Sequence, residues 1–255
     1  MKKIETNSNA LDYRIFVHKH FSKSNFGSWV IDNLHLGKKM KILDVGCGTG
    51  NHSFDISKKV GPKGMVIGTD ISKPSLDKCR EKISEDKIKN ISVLRADLTK
   101  MSEKLSPLKF DRILSSFAIY YTKDPEKTFK DLYGLLENKG IIFICGPTKK
   151  NNLEFLELVK KAGGNFSNDF YRWSEFLENT AKKILEKLFP KIEIEYFNNP
   201  VEFPNKDVLF KYWEVTPLYN KNIEGRMREL IEKEFAKKKT FISNKIIIGI
   251  KCQKI

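Results

Sequence analysis

The chain has 255 residues, long enough for one domain with a substantial core, and a hydrophobic content of 40% with 18 phenylalanines excludes a disordered protein. The formal net charge is +15, yet only seven of the 47 basic residues are arginine and none of them cluster, so nucleic acid is not an expected partner. No apolar run approaches a membrane span and the start lacks a signal-peptide core, which sets the expectation of a soluble, cytoplasmic protein with no membrane partner.

Residues 1–10 read as a loose polar start. Over 11–36 the pattern is helical, with Tyr13, Phe16, Val17 and Phe21 spaced for one face and Phe26, Trp29, Val30 and Leu34 for a second. Ser24 or Asn25 is placed to cap that second helix. A short apolar run at 42–45 suits a buried parallel strand. It is broken by glycines at 46, 48 and 50, and a helix is expected over 51–60, ended by Gly61-Pro62-Lys63-Gly64. A strand over 65–69 ends at Asp70, a helix occupies 75–84 with Pro74 at its start, and a strand over 91–96 ends at Asp97. Residues 110–121 form a fourth strand and its exit loop. A helix over 124–137 is stopped by Asn138-Lys139-Gly140, and 141–145 is a fifth, wholly apolar strand.

Strands alternating with helices on this scale argue for an α/β fold, a doubly wound, mostly parallel Rossmann-like sheet with helices on both faces. The C-terminal half carries helical insertions. Helices are expected over 151–163 and 174–189, joined by a loop holding Tyr171, Arg172 and Trp173. A strand over 192–197, helices over 205–215 and 223–238, and a closing strand over 240–250 complete the chain. One domain, 1–255, accounts for this. It divides into an N-terminal helical cap (1–36), a ligand-binding core (41–147) and candidate substrate-binding insertions at 148–190 and 198–239. The four cysteines, Cys47, Cys79, Cys145 and Cys252, lack the paired spacing of a zinc site or a disulfide framework, and no metal is expected.

The stretch Lys-Ile-Leu-Asp-Val-Gly-Cys-Gly-Thr-Gly at 41–50 is a strand-turn-helix in which glycine lets a ligand approach the backbone. A dinucleotide fold calls for G-x-G-x-x-G. Here the glycines are spaced by two, led by Asp44, and acidic residues end the next two strands at Asp70 and Asp97. In this set of residues the sequence resembles the class I S-adenosylmethionine-dependent methyltransferases. The resemblance covers 41–147 well and the closing strands loosely.

That resemblance implies S-adenosylmethionine as cofactor, with Gly46, Gly48 and Gly50 facing its methionine and ribose part. Asp44 would organise the loop and attract the methionine ammonium. Asp70 would accept both ribose hydroxyls and Ile71 would lie against adenine. Asp97 would accept from the adenine amino group, with Leu98 offering its backbone N–H. Ser115, Ser116 and Phe117 would border the methionine end. A bland reading competes at each aspartate, namely helix capping or a surface turn.

The expected reaction is methyl transfer to an oxygen or nitrogen of a small-molecule acceptor. The alternatives are an RNA or protein methyltransferase on the same fold and a non-catalytic nucleotide-binding or regulatory protein. No Asn/Asp-Pro-Pro-Tyr loop follows the fourth strand, which disfavours the adenine and glutamine amide families. Candidate catalytic groups are Tyr120, Tyr121, His18 and His20. Candidate acceptor-binding groups are Tyr13, Tyr120, Tyr121, Arg172 and Trp213, the arginine as a partner for an acidic acceptor. The acceptor itself and the oligomeric state are not legible.

Overall fold

In the computed structural model, which describes residues 8–255, the central strand is β1 (Lys41–Val45). It pairs in parallel with β2 (Met65–Asp70) on one side and β4 (Phe110–Ser116) on the other. Beyond them lie β3 (Ile91–Arg95), parallel to β2, and β5 (Leu136–Pro147), parallel to β4. The last two strands, β6 (Lys191–Phe203) and β7 (Phe241–Gln253), complete a seven-stranded sheet in the order β3-β2-β1-β4-β5-β7-β6. β7 alone runs opposite to the other six strands, antiparallel to both β5 and β6. The chain order reverses between β1 and β4, so loops leaving their carboxyl ends diverge and open a crevice there.

Period-two alternation divides each strand between two cores. Leu43 and Val45 of β1 face one core, with Ile113, Phe129, Ile142, Leu177 and Leu185. Ile42 faces the other, with Val30, Phe54, Ile56, Leu114 and Phe143. The second face is covered by α2 (Phe26–Asn33), α3 (Asn51–Val60) and α4 (Lys73–Glu85). The first is covered by α5 (Met101–Leu105), α6 (Pro125–Leu135) and a helical arm in the C-terminal half. Preceding them all is α1 (Ser8–Phe21). Asn25 caps α2, its side chain accepting from the Ser28 N–H at 3.0 Å.

Several expected boundaries move. The loose start expected for 1–10 lies outside the described residues as far as residue 7, and from Ser8 the chain is helical. The stop at Asn138-Lys139-Gly140 falls inside β5, as a bulge between the pairs Phe110↔Leu136 and Arg112↔Ile141. The loop expected around Tyr171, Arg172 and Trp173 is helix instead. After α7 (Leu153–Lys161), α8 (Asn168–Glu175) starts early because the Ser167 hydroxyl accepts from the Phe170 N–H. It continues through a π turn (Phe176–Ala181) into α9 (Lys182–Leu188).

The span 198–203, expected within an insertion, belongs to β6, which pairs with β7 from Lys191↔Gln253 to Phe203↔Phe241. Since β5 reaches only Ile247 of β7, the far halves of β6 and β7 project as a two-stranded ribbon. That ribbon is wrapped by α1, α7, α10 (Lys206–Glu214) and α11 (Glu224–Lys237). Together they bury a third core around Val17, Phe155, Val201, Phe203, Trp213, Met227 and Ile231. The ribbon also pins the α1–α2 connection, where the Lys23 N–H donates to the Pro200 carbonyl at 3.1 Å. No described helix is long and apolar enough to cross a membrane.

Candidate active site

The glycine turn closes β1 at the mouth of a cleft of about 3670 Å³, far more than the several hundred cubic ångströms a single small ligand requires. Gly46 and Cys47 both donate their N–H groups to the Thr69 carbonyl, at 2.7 and 3.0 Å, which ties the turn to β2. The three glycines have φ values of +74°, +56° and +88°, a region open to glycine at no steric cost. A Cβ on Gly46 would sit 2.0 Å from the Ala118 Cβ, so no larger residue fits there. Gly46 and Gly48 line the cleft. Gly50 does not: its missing Cβ faces Cys79 Sγ at 2.5 Å and the Phe54 ring at 3.0 Å, so it serves packing beneath α3. The expectation that Gly50 contacts ligand is corrected accordingly.

Four carboxylate-bearing or apolar positions expected at strand ends do converge on the cleft. Asp70 accepts from the Gly48 N–H at 2.8 Å through Oδ2 and from the Ser72 N–H at 2.8 Å through Oδ1. Each oxygen keeps a second lone pair for a ligand hydroxyl. Ile71 follows, an apolar side chain left 42% exposed in the cleft wall. Asp97 and Leu98 line the same wall. The Thr99 hydroxyl and backbone N–H both bond Asp97 Oδ1, at 2.7 and 2.9 Å, and hold its carboxyl below the usual carboxylate range.

Asp44 lies 1% exposed behind the turn, where the Ser53 hydroxyl donates to its Oδ2 at 2.6 Å. Burial pushes this carboxyl up to about 6, against the opposing pull of Ser53. A buried acid with a single partner is an electrostatic asset for a cation and a burden without one. These features fit S-adenosylmethionine: glycine backbone open to the cleft, an acid for paired hydroxyls, an exposed apolar face, and a buried acid for an ammonium.

The strand pleat corrects one neighbour of the turn. Ser115, expected at the methionine end, is fully buried on the β4 face away from the cleft, where it bonds the Val45 carbonyl at 3.1 Å. Ser116, one residue on, lines the cleft. Phe117 lines it too, with φ +55° fixed by its N–H bonding the Cys145 carbonyl at 2.9 Å. Such a backbone is costly for an aromatic residue and is held by its surroundings.

The acceptor candidates divide. Tyr120 and Tyr121 line the cleft from a short 3-10 turn (Ile119–Tyr121), with ring centroids 4.6 Å apart. Burial raises both hydroxyl pKa values, and each hydroxyl acts on the other. Arg172 borders the cleft but is largely exposed and paired with Asp169 at 2.9 Å. Trp213 is 0% exposed in the third core, its indole N–H on the Leu218 carbonyl at 3.3 Å, so it is a packing residue and not an acceptor contact. Tyr13 packs against the same core and does not line the cleft. His20 packs against Phe16, ring centroids 4.1 Å apart, in the exposed part of α1, bonding the Phe16 carbonyl at 2.9 Å, away from the cleft. His18 is retained, with Nε2 3.2 Å from the Tyr212 hydroxyl.

Sequence reasoning missed Arg14, His52 and Lys245, all of which line the cleft together with Tyr212. His52, in the first turn of α3, is pushed down to about 4 by burial. Lys245 is the less expected. Because β7 is antiparallel, Lys245 lies just beyond the Pro147↔Ile247 pair, at the carboxyl end of β5. A lone lysine leading into Ile246-Ile247-Ile248 was the available signal, but it points to the cleft only once strand direction is known.

Helix α1 covers the turn. Lys78 of α4 bonds Asp12 at 2.6 Å and Asn9 at 2.8 Å, and a Cβ on Gly48 would come within 3.4 Å of Leu11 Cδ2. The methyltransferase-domain family matches residues 36–193. A demethylmenaquinone methyltransferase of Lactococcus lactis subsp. lactis (strain IL1403) is 30% identical over 176 residues, 62% of this chain and 68% of that protein. A ubiquinone/menaquinone biosynthesis C-methyltransferase of Wigglesworthia glossinidia brevipalpis is 29% identical over 178 residues, 62% of this chain and 69% of that one. The solved structure of a SAM-dependent methyltransferase from Aquifex aeolicus shares the fold, with TM-score 0.55 at 18% identity over 95% of this chain and 98% of that one. The chain therefore belongs to the class I methyltransferases and is an enzyme whose cofactor is S-adenosylmethionine.

Proposed function

We propose that the enzyme methylates an oxygen or nitrogen of a small-molecule acceptor that enters the cleft beside Ser116, Phe117, Tyr120 and Tyr121. The observation that carries the methyl-transfer part of this reading is the meeting of the glycine turn, Asp70 and Asp97 at the carboxyl ends of three adjacent parallel strands. Gly46, Gly48, Asp70 and Ile71 would hold the ribose and adenine, Asp97 and Leu98 the adenine edge, and Asp44 the methionine ammonium. Phe117 would close the sulfonium end.

The cofactor supplies a methyl group already activated on a sulfonium, so the chain's task is to align the acceptor and keep water out. The cover formed by α1 over Gly48 serves exclusion. Tyr120 and Tyr121 keep their protons well above neutral pH and so orient an acceptor by donating, not by abstracting. The cap helices and the segments 148–190 and 198–239, apart from the β6 residues, supply the acceptor side. A ring carbon is the second reading. It is favoured by the names of the relatives above, which specify quinone biosynthesis and, for one, a C-methyltransferase.

Calorimetry with S-adenosylhomocysteine tests the cofactor assignment. Asp70→Ala is expected to cost about 1.5–3 kcal/mol of affinity, the worth of hydrogen bonds to a charged group, with far-UV circular dichroism unchanged. Full affinity in a folded variant rules out the ribose role.

A further inference from the structure

One part of the cleft carries positive charge that the cofactor residues leave unused. Arg14 and His18 come from α1, Tyr212 from α10 and Lys245 from β7, and all four line the same cavity as Tyr120 and Tyr121. After burial, which dominates at each group, the guanidinium of Arg14 acts on His18, Tyr120, Tyr121, Tyr212 and Lys245 alike, so they share one neighbourhood.

The polar groups here are under-satisfied. Lys245 Nζ lies over the Phe117 ring at 4.5 Å and 5.7 Å from the Phe26 centroid. Neither Lys245 nor Arg14 has a carboxylate partner among the described residues, Arg14 bonding only the Ala10 carbonyl at 3.3 Å. Burial pushes the Lys245 ammonium down to about 8. Burial also raises the Tyr212 hydroxyl to about 12, so it stays protonated, 3.2 Å from His18 Nε2. The other ring nitrogen of His18, Nδ1, is buried without a partner. Ring faces offset only part of the cost of an unpaired ammonium, and a buried polar nitrogen without a partner adds to that cost. A lysine in a structural role at this place would be better replaced by leucine or methionine.

We propose that Arg14, His18, Tyr212 and Lys245 form an anion subsite that receives a carboxylate or phosphate carried by the methyl acceptor, whose apolar body lies along Phe117 and Trp173. This deepens the small-molecule reading and rests on it. The subsite fixes one end of the acceptor by charge-assisted hydrogen bonds and leaves its nucleophilic atom to reach the sulfonium end.

The test titrates benzoate, phenyl phosphate and neutral benzamide into the enzyme, with and without saturating S-adenosylhomocysteine. Parent, Lys245→Met and Arg14→Gln are compared, and affinity for S-adenosylhomocysteine is measured for each. One of the two anions is expected to bind at least about tenfold more tightly than benzamide, and each variant to weaken that anion by about tenfold or more. Benzoate against phenyl phosphate tells carboxylate from phosphate. Affinity for S-adenosylhomocysteine is expected to stay within about threefold. Lys245→Met removes a buried charge and retains the side-chain length, so it folds if either variant does, and Arg14→Gln alters a helix surface. Benzamide binding as tightly as the anions, or variants with parental anion affinity, overturns the subsite. Variants that lose S-adenosylhomocysteine instead show that the cations serve the cofactor's carboxylate, which also overturns it. A parent that discriminates the anions but binds no S-adenosylhomocysteine would leave the subsite standing and remove the cofactor assignment.

Discussion

Asp44, proposed above to face the cofactor's ammonium, is the place where that role and stability pull against each other. The carboxyl is 1% exposed, with the Ser53 hydroxyl as its hydrogen-bond donor, and burial raises its pKa from 3.8 to about 6. A carboxyl raised on folding binds more protons in the folded state. Stability is therefore full below the unfolded value and falls as pH rises through the folded one. Carrying the ordinary pKa to about 6 costs about 3 kcal/mol once both states are ionised, at roughly 1.4 kcal/mol per pH unit. Asp44→Asn removes this dependence but leaves amide hydrogens to be satisfied, a fixed cost of about 1–3 kcal/mol that does not vary with pH. The informative quantity is the change with pH. The stability of Asp44→Asn relative to the parent is expected to grow by about 2.5 kcal/mol between about pH 4 and about pH 7.5. Urea unfolding at a series of pH values measures it. Calorimetry on the same variant is expected to show S-adenosylhomocysteine bound at least about tenfold more weakly, through loss of an acid facing the ammonium. A stability difference that stays flat across this pH range would refute the argument, since the carboxyl would then titrate as an ordinary surface acid.

Gly48→Val places a β-branched residue at φ +56° with its Cβ about 3.4 Å from Leu11, and is expected to abolish cofactor binding while far-UV circular dichroism stays near the parent. Retained binding by calorimetry would mean that the turn is only a packing device. Trp213→Ala empties the third core and is expected to cost about 3–5 kcal/mol in urea unfolding. A loss below about 1 kcal/mol together with selective failure of acceptor turnover would return Trp213 to the acceptor side.

The parallel core was legible because its signals are local. Strand β1 is an apolar run stopped by glycines, β2 is closed by Asp70, and α3 and α4 are bounded by turn chemistry at Gly61 and Ser72. The strand ends named from the sequence lie at one edge of the sheet because parallel strands carry their carboxyl ends together. Where the reading went astray, the deciding contact was distant in the chain. Ser115 and Ser116 differ only in which face of β4 they occupy, and the pairing of β4 with β1 sets that. Trp213 and Tyr212 are adjacent in α10, yet one is sealed in a core that needs α1, α7, α11 and the β6–β7 ribbon, and the other reaches His18 in the cleft. Lys245 enters the cleft only because β7 runs antiparallel to β5 across 93 intervening residues, 148–240. The sequence by itself determined the α/β core and the convergence of the glycine turn with Asp70 and Asp97, through short-range periodicity, glycine backbone freedom and acids at strand ends. Tertiary structure alone decided which aromatic side chains are core and which cations meet, because burial and electrostatic proximity are set by packing between segments that carry no mutual local signal.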